Sequence, residues 1–308
     1  MFYEYKITNW DDFYYLNDLL NHKYVFRGQA DASWPLSTKI ERVAKQFEQV
    51  EIPHLEWFIL DDFRRQAHQY LNHLPEKENR VDWLALIQHY GGPTRLLDFT
   101  KSLAIALFFA IENTTTEAAV YAVSCNPLFK NLDSKGAPQD KDGATHQYMR
   151  AHKIINKLPR FDYGANEGIL PVEPDFLCDR QSLQQGVFLY PEISILSFER
   201  NLCTELGLDT DRFPNFELLT DRRFFQKLEL PYENPLIKFT VPNNADLRTQ
   251  LMAKLYSMGI DARSLFPGID GLARSFIFSG RYYSSIQSGL QNPPFSARSE
   301  ESLINTQQ

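Results

Sequence analysis

Gln88-His89-Tyr90-Gly91-Gly92-Pro93-Thr94-Arg95-Leu96-Leu97-Asp98-Phe99-Thr100 joins a helix pattern to an almost wholly apolar run. An imidazole, a guanidinium and a carboxylate sit there among hydrophobic neighbours. A charge buried without a partner is very costly, so the cluster is either an ion-pair network or a site. Upstream, the spacing predicts a helix over 82–90 with Leu84, Ile87 and Gln88 on one face and Asp82 as its cap. Gly91-Gly92-Pro93 stops it, because glycine accepts the left-handed conformation and proline cannot continue a helix. Downstream, Ser102–Asn113 is apolar nearly all round and is read as a buried helix, with Thr100 or Asp98 as candidate caps.

Working outward, Ile7-Thr8-Asn9-Trp10 reads as a strand end followed by a helix start, with Asn9 or Thr8 as cap. Tyr24-Val25-Phe26-Arg27-Gly28 is a short strand with Val25 and Arg27 on one face and Tyr24 and Phe26 on the other. A guanidinium inside an aromatic strand is unusual, and its rigid fork suits carboxylate or phosphate. Gly28 allows backbone or ligand to approach closely. Further helices are expected at Leu55–Leu71 and Ala245–Met258, and further strands at Ala118–Ser124, Gly186–Leu189 and Lys238–Pro242. Gln184-Gln185-Gly186 offers two amides before a strand, and Asp270 is read as a helix cap after Pro267-Gly268. Lys130–Gly143, rich in Asp, Lys, Gly and Pro, reads as a loop.

Short strands between helices and irregular segments predict an α+β fold, a small mixed or antiparallel sheet surrounded by helices. The 308 residues are read as a single large domain over 1–280, with an irregular insertion around 125–180, and a polar tail over 281–308. A hydrophobic share of 43% allows a sizeable core, and an aromatic share of 14% argues against global disorder.

The net charge of −7 weighs against nucleic acid as partner. Residues 221–281 run the other way, with nine Lys/Arg against six acids, and hold either a local anion site or a solvated face. Three widely spaced cysteines, Cys125, Cys178 and Cys203, give no disulfide framework and no metal-ligand spacing, which points to a reducing cytoplasm. The longest apolar run, Leu103 to Ile111, is too short to span a bilayer. Walker and Gly-x-Gly-x-x-Gly loops, nucleophile elbows and His-Glu-x-x-His motifs are missing.

The chain resembles the FRG-domain family, a mainly bacterial group named for a Phe-Arg-Gly step. The likeness rests on Phe26-Arg27-Gly28-Gln29, on Gln88 to Asp98, on Ala104–Ala110, on Gln185-Gly186-Val187-Phe188 and on Gly259-Ile260 to Leu272, and it spans residues 20–275. A second, shorter resemblance is to arginine-type ADP-ribosyltransferases, which open their NAD site with an aromatic-Arg-Gly strand. Gly186-Val187-Phe188 matches their next strand, although Tyr190 and Glu192 replace its serines. Lys227-Leu228-Glu229-Leu230 is the nearest match to their catalytic glutamate motif and lacks the Gln or Glu two residues earlier.

That resemblance implies an enzyme with NAD as substrate, transferring ADP-ribose or hydrolysing NAD, as a toxin or phage-defence effector. Arg27, Gly28, Gln88, Arg95, Gln185 and Gly186 would bind a small anionic ligand or nucleotide. Glu229, or Asp98 in its place, would stabilise the ribose cation, with His89 orienting the site. The alternative is a non-catalytic sensing or interaction module whose Arg/Asp cluster holds the fold. A nucleic-acid-processing enzyme ranks third.

Overall fold

The computed structural model describes residues 2–48, 50–137, 147–163, 166–213, 215–221 and 235–277. Eight strands form one mixed sheet in the order β5-β6-β3-β2-β4-β8-β1-β7. In chain order they are β1 (Tyr3–Lys6), β2 (Tyr24–Gln29), β3 (Leu97–Thr100), β4 (Ala118–Ser124), β5 (Ile169–Val172), β6 (Gly186–Pro191), β7 (Glu217–Leu219) and β8 (Leu236–Val241). The β1 strand runs parallel to β7 and β8, and the other neighbours are antiparallel. The sheet is therefore the mixed one that the short strands predict, with helices packed around it.

Strand periodicity divides the core. Tyr24 and Phe26 of β2, with Ala118, Val120 and Ala122 of β4, face one hydrophobic cluster. Val25, with Ala119, Tyr121 and Val123, faces the other. The helix Leu103–Ile111 fills the first cluster, and eight of its nine residues are buried, as an all-round apolar sequence requires. Each large side chain buried there contributes roughly 1.5–3 kcal/mol. A Cβ on Gly28 would lie 2.0 Å from the Ala106 carbonyl oxygen, so this glycine lets the helix backbone meet β2. The close approach foreseen at Gly28 is thus made by protein backbone.

Several local expectations change. The helix after residue 79 is Arg80–His89, capped by Asn79 and not by Asp82. Its end follows the glycine signal: the Gly92 N–H donates to Ile87 and the Gly91 N–H to Gln88, with Gly91 at φ +82°. Ser102 caps the buried helix, while Asp98 and Thr100 lie on β3. That strand alternates over only four residues inside an apolar run, and pairing with β6 rather than local pattern establishes it. The second predicted helix is Ile52–Gln66 continued by a 3₁₀ turn, Asn9 caps its helix as its position suggests, and Asn244 caps the helix Ala245–Ser257. The first residues of the predicted loop, Lys130–Ser134, are the last of the helix Cys125–Ser134, while residues 138–143 lie outside those described. Asp270 sits inside a helical stretch that starts at 269, so it is not the cap. No helix among the described residues is long and apolar enough to cross a membrane, and the three cysteines are free.

Candidate functional site

The β2 and β3 strands meet at a single register pair, Phe26 with Thr100. Beyond it β2 follows β4, and β3 follows β6. A cleft of about 870 Å³ opens where they part. Its lining draws on β2, β3 and β6, on Gln88 and His89 at the end of helix Arg80–His89, and on Phe109, Glu112 and Asn113. Trp34, Arg42 and Lys45 come from the segment after β2, and Arg180, Gln181 and Gln184 from the turn before β6.

Arg27 lies at the centre. Its Nη1 donates to the Asp98 carbonyl oxygen at 2.7 Å. Its Nε is buried and makes no hydrogen bond, and no carboxylate lies within ion-pair distance among the described residues. Burial pulls its pKa down, opposed by the charge of Asp98, yet a guanidinium stays protonated at neutral pH. Arg27 thus bonds to Asp98 through its backbone carbonyl and not its carboxylate.

Arg27, Arg42, Lys45, Arg180 and Arg274 line the cleft against two acids, Asp98 and Glu112. Glu112 is buried and already paired, its Oε1 accepting from Arg274 Nε at 2.6 Å. Arg274 also lies over the Phe266 ring at 4.1 Å, and Arg180 over the same ring at 4.7 Å. The lining thus keeps an excess of positive charge in a protein of net charge −7. Low-dielectric walls focus such a field on an incoming anion. Trp34, on the same lining, is 54% exposed and offers an aromatic face. His89 and Cys178 meet at the rim, Nδ1 to Sγ 3.5 Å.

Of the residues singled out in the sequence, Arg27, Gly28, Gln88, His89, Asp98 and Gly186 converge on this cleft. Gln88 spends its carbonyl oxygen on the Thr94 hydroxyl. Arg95 does not reach the cleft. It is buried in a closed network, bidentate to Glu56 at 2.7 and 2.6 Å, bonded to Asp162 at 2.6 Å, and stacked over Tyr190 at 5.0 Å. Burial pulls the Arg95 pKa down, but Glu56 and Asp162 more than offset this and hold it above its ordinary value. Gln185 is exposed at φ +48°, and its neighbour Gln184 lines the cleft instead. Glu229 lies outside the described residues.

Trp34, Arg42, Lys45, Cys178, Arg180 and Arg274 were not singled out for the site. The basic surplus of residues 221–281 was the one signal that touched them, through Arg274. Comparison with curated proteins finds no match, and comparison with solved structures finds none. Residues 22–119 match the family model of the FRG domain, which takes in Phe26-Arg27-Gly28 and the whole of Gln88 to Thr100. The chain therefore carries an FRG domain over residues 22–119.

Proposed function

We propose that the cleft binds a phosphate-bearing nucleotide, with NAD as substrate of an ADP-ribosyltransferase-like reaction. The observation that carries the reading is Arg27, a guanidinium with a buried, unbonded Nε and no acid partner among the described residues, set among four further cations. A pyrophosphate would take its fork through charge-assisted hydrogen bonds. Trp34 would stack on a base, a sequence-tolerant contact worth about 1–3 kcal/mol. In the reaction the ribose–nicotinamide C–N bond breaks and nicotinamide leaves with its electron pair. Water or an acceptor on a target then adds to the ribose carbon and loses a proton. Asp98, whose carboxylate has no hydrogen-bond or ion-pair partner among the described residues, is the group at hand to stabilise the ribose cation. Such an enzyme would act as a toxin or phage-defence effector.

A sensing module is the second reading, favoured by Arg95, which serves the fold and not the cleft. Titration of the full chain with NAD, ADP-ribose and ATP, followed by Trp34 fluorescence, tests both. Saturable binding that Arg27→Ala weakens about tenfold or more, with release of nicotinamide, supports the enzyme. Binding without nicotinamide release in the presence of candidate targets supports the sensor. No binding by a folded protein overturns both.

A further inference from the structure

We propose that Asp82, His152 and Asp175 form a divalent-cation site, with zinc as the first candidate, at the opposite end of helix Arg80–His89 from the cleft. One ligand atom from each residue lies within 4.8 Å of the other two. The three are far apart in sequence, which is why no ligand spacing reveals them.

The imidazole carries the argument. His152 is 6% exposed, and its Nε2 sits against the Glu173 carbonyl oxygen, an acceptor, so that nitrogen holds the ring hydrogen. Nδ1 is the other ring nitrogen. It makes no hydrogen bond and faces Asp175 Oδ1 at 3.7 Å. A ring nitrogen and a carboxylate oxygen that face each other beyond hydrogen-bond distance leave room for a cation between them. Two ligands about 2.1 Å from a tetrahedral zinc lie about 3.4 Å apart, close to the spacing found.

The ligands are oriented from behind, as metal ligands are. Asn79 Nδ2 donates to Asp175 Oδ2 at 2.6 Å, leaving Oδ1 toward the histidine. The Asp175 backbone N–H donates to Asp82 Oδ1 at 2.8 Å. Neither carboxylate pairs with a lysine or arginine among the described residues. Asp82 and His152 are buried, while Asp175 is exposed and leaves a path for the ion and a fourth, water ligand. An O₂N set with imidazole suits zinc better than magnesium or calcium.

The ion would fasten three segments: the start of helix Arg80–His89, the helix His152–Ile155 and the chain after β5. At 1.5 Å per residue, His89 lies about 10 Å along the helix from Asp82. The metal would therefore brace the helix that presents Gln88 and His89 without entering the cleft.

The test is titration of the chelator-stripped full chain with zinc chloride, followed by calorimetry and thermal melting. One zinc per chain is expected, with a Tm rise of a few degrees. His152→Ala and Asp175→Asn should each weaken binding about tenfold or more. Asp175→Asn removes charge from an exposed residue and keeps its size, so it guards against a failure to fold. The absence of stoichiometric binding overturns the proposal. So does zinc affinity that neither variant changes, or that Cys178→Ser abolishes, since zinc would then sit on the His89–Cys178 pair.

Discussion

Arg27 reaches Asp98 through the backbone and not through the carboxylate: Nη1 donates to the Asp98 carbonyl oxygen at 2.7 Å. The contact lies beside the single register pair, Phe26 with Thr100, at which β2 and β3 meet. It leaves an acid and a guanidinium side by side in one cleft, neither neutralised by the other.

Arg27→Ala should weaken nucleotide binding while the melting temperature changes little. A hydrogen bond to a charged group contributes about 1.5–3 kcal/mol, so the loss should be about tenfold to a hundredfold in Kd. Arg27→Lys should recover only part, because an ammonium lacks the planar fork. Calorimetry of the two variants checks this, and an unfolded Arg27→Ala would mark Arg27 as structural.

Asp98→Asn should separate binding from chemistry. Nicotinamide release should fall by orders of magnitude while NAD affinity holds or rises, since a negative charge beside the phosphates is removed. Equal turnover in the variant and the parent would strip Asp98 of its role.

Arg95→Ala should do the reverse of Arg27→Ala. It leaves Glu56 and Asp162 buried and unpaired, a loss of about 3–5 kcal/mol. Urea denaturation should show a lowered midpoint, and ligand affinity measured well below that midpoint should be unchanged.

Gly28→Ala should destabilise the protein although it adds one methyl group. The new Cβ would overlap the Ala106 carbonyl oxygen and the Ala110 amide nitrogen, both backbone, so β2 and the helix must separate. Overpacking of this kind costs about 1–3 kcal/mol or more. Circular dichroism melting measures it, and a melting temperature equal to the parent's would contradict the close approach.

Thiol labelling should distinguish the cysteines by pH. Burial pushes the Cys125 and Cys203 thiols up to about 11, so both stay protonated at pH 8. Iodoacetamide should therefore add one label at pH 8, on Cys178 at the cleft rim, as peptide mass spectrometry would show. The same shifts bear on stability. The folded state keeps these protons above the unfolded thiol pKa of about 8.5, so stability should fall as pH rises from there toward about 11. Rapid labelling of Cys203 at pH 8 would contradict its burial.

The chain's own order of residues determined the local punctuation and the alternation of faces. Asn9 caps a helix, Gly91 and Gly92 end one, and Val25 and Phe26 look to opposite clusters. Each of these depends on neighbours a few residues apart, and backbone geometry acts at that range. Phe26-Arg27-Gly28 and the Gln88 to Thr100 stretch also marked where the cleft would be.

Only the tertiary structure decided what each charge does. Arg95 and Arg27 are both guanidiniums beside hydrophobic residues, and the sequence treats them alike. The fold gives Arg95 two acids, from residues 56 and 162, and among the described residues gives Arg27 only a carbonyl and an open cleft. The cations Arg42, Arg180 and Arg274, and the group Asp82, His152 and Asp175, assemble in the same way. Ion pairing and coordination depend on distances of a few ångströms between residues far apart in the chain, and local pattern carries no record of those distances.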